Sequence, residues 1–213
     1  MEKALIIGAS GGIGAALVAV LKARGVAVTG LSRRDDGLDV TDEDSVAACL
    51  AGLEPGFYLI LVATGALVID GAEPEKTIRR VTAKAMADQF ALNCIGPSLV
   101  LKHSLRLLPR DRRAVFAALS ARVGSIGDNA LGGWYSYRTA KAALNQMIHT
   151  GAIELARSHR YALCVALHPG TVATRFTADY AATHDRVPPE QAASNLLGVI
   201  DRLTPDETGG FFD

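Results

Sequence analysis

The chain has 213 residues, 49% hydrophobic and 21% charged, and its 22 basic and 22 acidic side chains cancel to a net charge of +0. That length suits one domain with a sizeable core, and the composition is that of an ordinary soluble globular protein. The charge balance argues against a nucleic-acid partner, which needs a basic excess or stripe.

Lys3 to Ile7 is a short apolar run, read as a buried first strand. The uncharged stretch from Ala4 to Leu21 is long enough to suggest a membrane helix, or a leader after Met1-Glu2-Lys3. Gly8, Ser10, Gly11, Gly12 and Gly14 interrupt it, and a strand–turn–helix reading explains them where a spanning helix does not. A cytoplasmic protein with no membrane contact is expected. A helix then runs from Ala15 to Arg24 and stops at Gly25, and a second strand covers Val26 to Leu31. Asp42 to Leu50 reads as a helix capped by Thr41, and Phe57 to Ala63 as a third strand. Thr82 to Leu108 is a long periodic helix closed by Pro109. Further on come a strand at Ala114 to Leu119, a glycine-containing loop at Ala121 to Gly133, and a helix at Trp134 to Ser158. A strand at Tyr161 to Leu167, a long loop at Pro169 to Pro188, a helix at Pro189 to Leu203 and a short strand at Gly210 to Phe212 complete the pattern. Strands alternating with helices predict an α/β fold: a doubly wound, Rossmann-like parallel sheet in a single domain. Cys49, Cys94 and Cys164 lie far apart among apolar neighbours, as buried thiols in a reducing compartment do. His103, His149, His159, His168 and His184 form no ligand cluster, so no metal is expected.

Two stretches carry chemistry. Tyr137 and Lys141 stand four apart at the start of a helical apolar pattern, which puts phenol and ammonium on one face. A free phenol titrates near ~10, and a nearby cation favours phenolate, so the pair is a tunable acid/base group. The first turn, Gly8-Ala9-Ser10-Gly11-Gly12-Ile13-Gly14, joins a strand to a helix N-terminus. Such a turn aims backbone N–H groups and a helix dipole at a phosphate. The spacing is neither Gly-x-Gly-x-x-Gly nor a P-loop, since no Gly-Lys-Ser/Thr follows.

Together, Gly8-x-x-x-Gly12-Ile13-Gly14 and Tyr137-x-x-x-Lys141 resemble the short-chain dehydrogenase/reductases. Further matches follow in order. Asp39-Val40-Thr41-Asp42 resembles the family's segment at the adenine, Ala63-Thr64-Gly65 its Asn-Ala-Gly strand end, and Asn93 its mid-helix asparagine. Pro169-Gly170-Thr171-Val172-Ala173-Thr174 resembles its Pro-Gly-x-x-x-Thr segment near the nicotinamide. The stretch from Leu119 to Ile126, with Gly132-Gly133-Trp134-Tyr135, is most similar to the C-factor and sniffer-like carbonyl reductase branch.

The resemblance implies an oxidoreductase for a small carbonyl or alcohol, with Tyr137 as general acid/base and Lys141 tuning it and holding the nicotinamide ribose. A serine would bond the substrate oxygen, and Asn93 would hold a water in a proton relay. Cofactor contacts would come from Gly8, Ser10, Gly11, Gly12, Ile13, Gly14, Asp39, Val40, Ala63, Thr64, Gly65, Pro169, Gly170, Val172 and Thr174, besides Tyr137 and Lys141. Ser32-Arg33-Arg34 lies after the second strand, where an NAD enzyme places an acidic residue for the ribose hydroxyl. Arginine suits a phosphate there, so NADP(H) is expected over NAD(H), although Asp35 and Asp36 could instead neutralise the arginines. For the serine, Ser120 directly follows a strand, while Ser125 better fits the family's distance to the tyrosine. Ser120 is weighted more heavily. Residues 171–187 would be a substrate lid, with Phe176 and Tyr180 as apolar contacts. A homodimer or homotetramer is expected. The alternative is a cofactor-sensing or signalling protein with little turnover, and less so an epimerase or dehydratase.

Overall fold

Apolar runs become strands where sequence placed them. In the computed structural model, which describes residues 2–174 and 186–213, six strands form one sheet. They are β1 (Lys3–Ile7), β2 (Ala27–Leu31), β3 (Phe57–Val62), β4 (Ala114–Leu119), β5 (Ala162–Leu167) and the two-residue β6 (Phe211–Phe212). All pairings are parallel, in the order β2-β1-β3-β4-β5-β6. A parallel sheet needs helices on both faces. Here they are α1 (Gly12–Ala23), α2 (Arg33–Asp36), α3 (Glu43–Ala51), α4 (Ala83–Phe90), α5 (Gly96–Ser104), α6 (Tyr135–Leu155) and α7 (Pro189–Arg202).

Side chains alternate across the sheet. Leu5, Ile7, Ile60, Val62 and Phe116 pack with Val46, Leu50, Val100, Leu144 and Ile148 of α3, α5 and α6. Ala4, Ile6, Leu59, Leu61 and Val115 face the other way, onto Leu17, Leu21, Leu196 and Ile200 of α1 and α7. Both faces of the central strands are packed, so β1, β3, β4 and β5 read as near-continuous apolar runs, while β2 at the edge is half-buried. The strand order reverses at β1, and the carboxyl ends of β1, β3, β4 and β5 open on one side. Open α/β sheets bind ligands there.

Three expectations need correction. The helix expected over Thr82–Leu108 is α4, a π-helical turn at Ala91–Ile95, α5, and a 3-10 turn at Leu105–Leu107. Arg33–Asp36, expected only as a charged segment after the second strand, is a short helix that Ser32 caps, its hydroxyl accepting from Asp35 N at 3.1 Å. The cap of α3 is Asp42, which accepts from Asp44 N. Thr41 instead donates its hydroxyl to Asp39 Oδ1 at 2.7 Å.

Candidate active site

The first turn is shaped by close approach. Gly8 has φ +87°, which an L side chain resists, and its N–H donates to Leu31 O at 2.7 Å. A Cβ on Gly14 would lie 2.1 Å from Gly8 O, so Gly14 is there for packing. Gly11 N is taken by Gly8 O. The N–H groups that open α1, on Gly12, Ile13 and Gly14, lack intrahelical acceptors and suit an anion. Gly11, Gly12 and Ile13 line a cavity of about 650 Å³, and Ser10 does not.

The same cavity is walled by Ala63, Thr64 and Gly65 after β3, Ser120 and Ala121 after β4, and His168, Pro169, Gly170, Val172 and Thr174 after β5. Tyr137 and Lys141 reach it from α6. Thr174 crosses over the glycine turn: a Cβ on Gly12 would sit 2.7 Å from its Cγ2. The expected lid is tied at both ends by the Val172–Val187 bridge. Phe176 and Tyr180 lie outside the described residues.

Lys141 is 2% exposed, and its Nζ donates to Leu119 O at 2.9 Å. It lies 5.8 Å from the centre of the Tyr137 ring. Burial pushes the Lys141 ammonium down to about 7. Burial also pushes the Tyr137 phenol above its ordinary value. The expected lowering of Tyr137 by Lys141 is therefore not what the chain's own groups produce. Desolvation penalises both charged forms, and it wins because the lysine is as deeply buried as the phenol.

Asn93 sits in the π turn, fully buried. Its Nδ2 donates to Ala66 O at 2.9 Å and to Gln89 Oε1 at 2.7 Å. Its Oδ1 has no hydrogen-bond partner. A Cβ on Gly65 would lie 2.8 Å from that Oδ1 and 3.7 Å from Lys141 Nζ, so carbonyl and amine face one small space. Irregular helical turns of this kind are frequent at functional sites.

Ser120 lines the cavity and Ser125 does not. Ser125 Oγ instead accepts from Asp128 N within its own loop. The Ser120 hydroxyl donates to Asn145 Oδ1 at 2.6 Å. Asn145, one turn after Lys141 on α6, is a site residue the sequence reading missed; its i+4 spacing from Lys141 was the available cue. Glu75 was missed too, and no local pattern marks it.

The ribose-side residues sort unevenly, and none of them lines the cavity. Arg34 is engaged by Asp35 in two hydrogen bonds, at 2.8 and 3.0 Å. Ser32 is buried as a cap, its N–H on Asp36 Oδ2 at 2.8 Å. Arg33 is exposed and forms no ion pair among the described residues. Asp39 is turned onto Thr41, whose hydroxyl and N–H hold the carboxylate below its ordinary range, with a small contribution from Arg33. Val40 packs in the core against Gly96, where a Cβ would be 2.9 Å from Val40 Cγ2.

A glycine turn opening a helix, a switch-point cavity and a buried tyrosine–lysine pair define a dinucleotide-binding α/β oxidoreductase. The chain belongs to the short chain dehydrogenase family, whose sequence profile matches residues 2–185. It is 34% identical over 229 residues to 1-hydroxy-2-glutathionyl-2-methyl-3-butene dehydrogenase of Rhodococcus sp. (strain AD45), covering 99% of this chain and 96% of that one. It is 35% identical to C-signal of Myxococcus xanthus, over 60% of this chain and 74% of that protein. Among solved structures, the fold is similar to the carbonyl reductase Sniffer of D. melanogaster, with a TM-score of 0.79 at 22% identity, over 99% and 96% of the two chains. An NADPH-bound carbonyl reductase from chicken fatty liver superposes with a TM-score of 0.79 at 25% identity, over 99% of this chain and 95% of that one.

Proposed function

We propose that the protein is an NADP(H)-dependent oxidoreductase that moves hydride between the nicotinamide and a small carbonyl or alcohol. The observation that carries this reading is one cavity receiving Tyr137, Lys141 and the glycine turn together. The residues fit a dinucleotide. Besides the open N–H groups of α1, the buried Thr64 Oγ1 and His168 Nδ1 at the cavity have no protein partner, and such atoms suit a polar ligand. Gly12 and Ile13 would hold the pyrophosphate, Lys141 the nicotinamide ribose, and Arg33 a 2′-phosphate. The NADPH-bound relative supports the same cofactor.

A bound nicotinamide supplies or accepts the hydride. Tyr137 exchanges the proton with the substrate oxygen as general acid or base. Lys141 would hold the ribose hydroxyls, and with its ammonium so retained it would favour the phenolate and offset the desolvation of the phenol. Asn93 Oδ1, facing Lys141, would accept from a water that returns protons to the lysine. Ser120, which lines the same cavity, would face the substrate oxygen.

The test is loss of NADPH absorbance with a panel of small aldehydes and ketones. Tyr137→Phe should lower turnover roughly 10²–10⁴-fold while leaving NADPH affinity nearly unchanged. Wild-type turnover by that variant would overturn the assignment. The likeness to C-signal and the engagement of the Ser120 hydroxyl by Asn145 favour a second reading, a cofactor-sensing protein. It predicts tight NADPH binding with no turnover across the panel.

A further inference from the structure

We infer that Glu75 is a positioning residue for Tyr137, holding the start of α6 from the loop between β3 and α4. The inference rests on the reading of Tyr137 as general acid/base. Tyr137 lies in the first turn of α6, whose cap position, Trp134, offers no side-chain hydrogen bond to the helix. Gly132, Gly133 and Trp134 all have positive φ, at 65°, 68° and 51°. Glycine accepts that conformation readily, whereas a tryptophan there is strained and needs holding. Glu75 does the holding. Its backbone oxygen accepts from Trp134 N at 2.6 Å. Its carboxylate accepts from Ser136 N at 3.2 Å and from the Ser136 hydroxyl. A remote carboxylate thus takes the place of a local cap, at a helix end that favours negative charge.

Glu75 is 4% exposed, and Ser136 is 2% exposed. A carboxylate buried that deeply persists only with its donors in place. Its loop is itself pinned: Gln89 donates to Leu67 O, and Asn93 to Ala66 O. Trp134 in turn sets its ring edge-on to Tyr137, with centroids 6.2 Å apart. Asn93, Gln89, the loop, Glu75, Trp134 and Tyr137 therefore form one continuous support. Only Asn93, Trp134 and Tyr137 of these are in the sequence motifs.

Glu75→Ala should lower kcat roughly 10- to 100-fold, the scale set by small misplacements of reacting groups. NADPH affinity should hold, because the hydrogen bonds to Glu75 come from Trp134 and Ser136 and not from the glycine turn, Arg33 or Lys141. Glu75→Gln, which keeps an acceptor for Ser136 N, should restore most of kcat. Trp134 is the chain's single tryptophan, so its emission reports the same contact without turnover. Emission should shift in Glu75→Ala and much less in Glu75→Gln. Wild-type kcat in Glu75→Ala, with Tyr137→Phe inactive, overturns the positioning role and leaves the tyrosine assignment standing. Wild-type turnover by Tyr137→Phe overturns the tyrosine assignment instead. Equal loss of kcat and NADPH binding in both Glu75 variants would mean general structural damage and would also overturn the role. Should Glu75→Ala fail to fold, Ser136→Ala replaces it; an unchanged kcat and emission there would count against the inference.

Discussion

Lys141 carries a four-carbon stem to a nitrogen bonded to one backbone carbonyl, in a helix whose buried residues beyond it, Leu144, Ile148, Ala152 and Leu155, are all apolar. Its ordinary value is 10.5, and in the fold it falls to about 7. Between those values the unfolded chain binds more protons, so the cost of burying the lysine is full below about 7 and shrinks as pH rises toward 10.5. Lys141→Met should therefore raise Tm, by more at about pH 6 than at about pH 9, while removing turnover. A stability gain independent of pH, read by thermal denaturation, would refute that account. Ser120 offers a second case. With its proton on Asn145, the hydroxyl presents lone pairs to the cavity. It can donate to a substrate oxygen only if Asn145 turns its amide. Asn145→Asp removes that option and should lower kcat more than Asn145→Ala. Ser120→Ala should lower kcat by about two orders of magnitude, as loss of an oxyanion donor does, and Ser125→Ala by much less. Steady-state kinetics on the four variants would expose the reverse ranking.

At the scale of elements, we propose that α2 sets the choice between NADP(H) and NAD(H). Its cap and its pairing of Arg34 with Asp35 leave Arg33 as the arginine with a guanidinium to offer. Arg33→Ala should weaken NADPH binding about tenfold or more, the worth of a charge-assisted contact, and barely change NADH. Arg34→Ala should do less; titration of both reduced cofactors checks the order. The central strands β1, β3, β4 and β5 were legible because they are buried on both faces and composed almost wholly of apolar residues. The pair Tyr137/Lys141 and the glycine turn were legible because their chemistry fixes their spacing. The break at Ala91–Ile95 was not. A π turn preserves the apolar period closely enough to read as one helix, and the contact that accompanies it, Asn93 on Ala66 O, is tertiary. The four-residue α2 was hidden in a charged stretch. Glu75 was illegible for the same physical reason as the break: the partner of its carboxylate, Ser136, stands sixty-one positions away in sequence.

For the whole molecule, we propose a homodimer or homotetramer. Met147 and Ile153 on α6 are exposed, Ile153 by 54%, and Ile95 at the head of α5 by 47%. These side chains supply apolar surface for a second copy. Ile153→Glu should lower the mass measured by light scattering, and a wild-type monomer at every concentration would sink the proposal. Among the described residues no helix is long and apolar enough to cross a membrane. The all-parallel sheet has a consequence for the chain's birth. No two neighbouring strands can pair as a hairpin, since each pairing needs a crossover. During synthesis, β3 emerges well before its partner β4, and until β4 arrives Leu59, Ile60, Leu61 and Val62 present an open, apolar strand edge. That interval, rather than the finished fold, is when a nascent chain is most open to wrong partners, and when a chaperone holding the β3 edge has the most to protect.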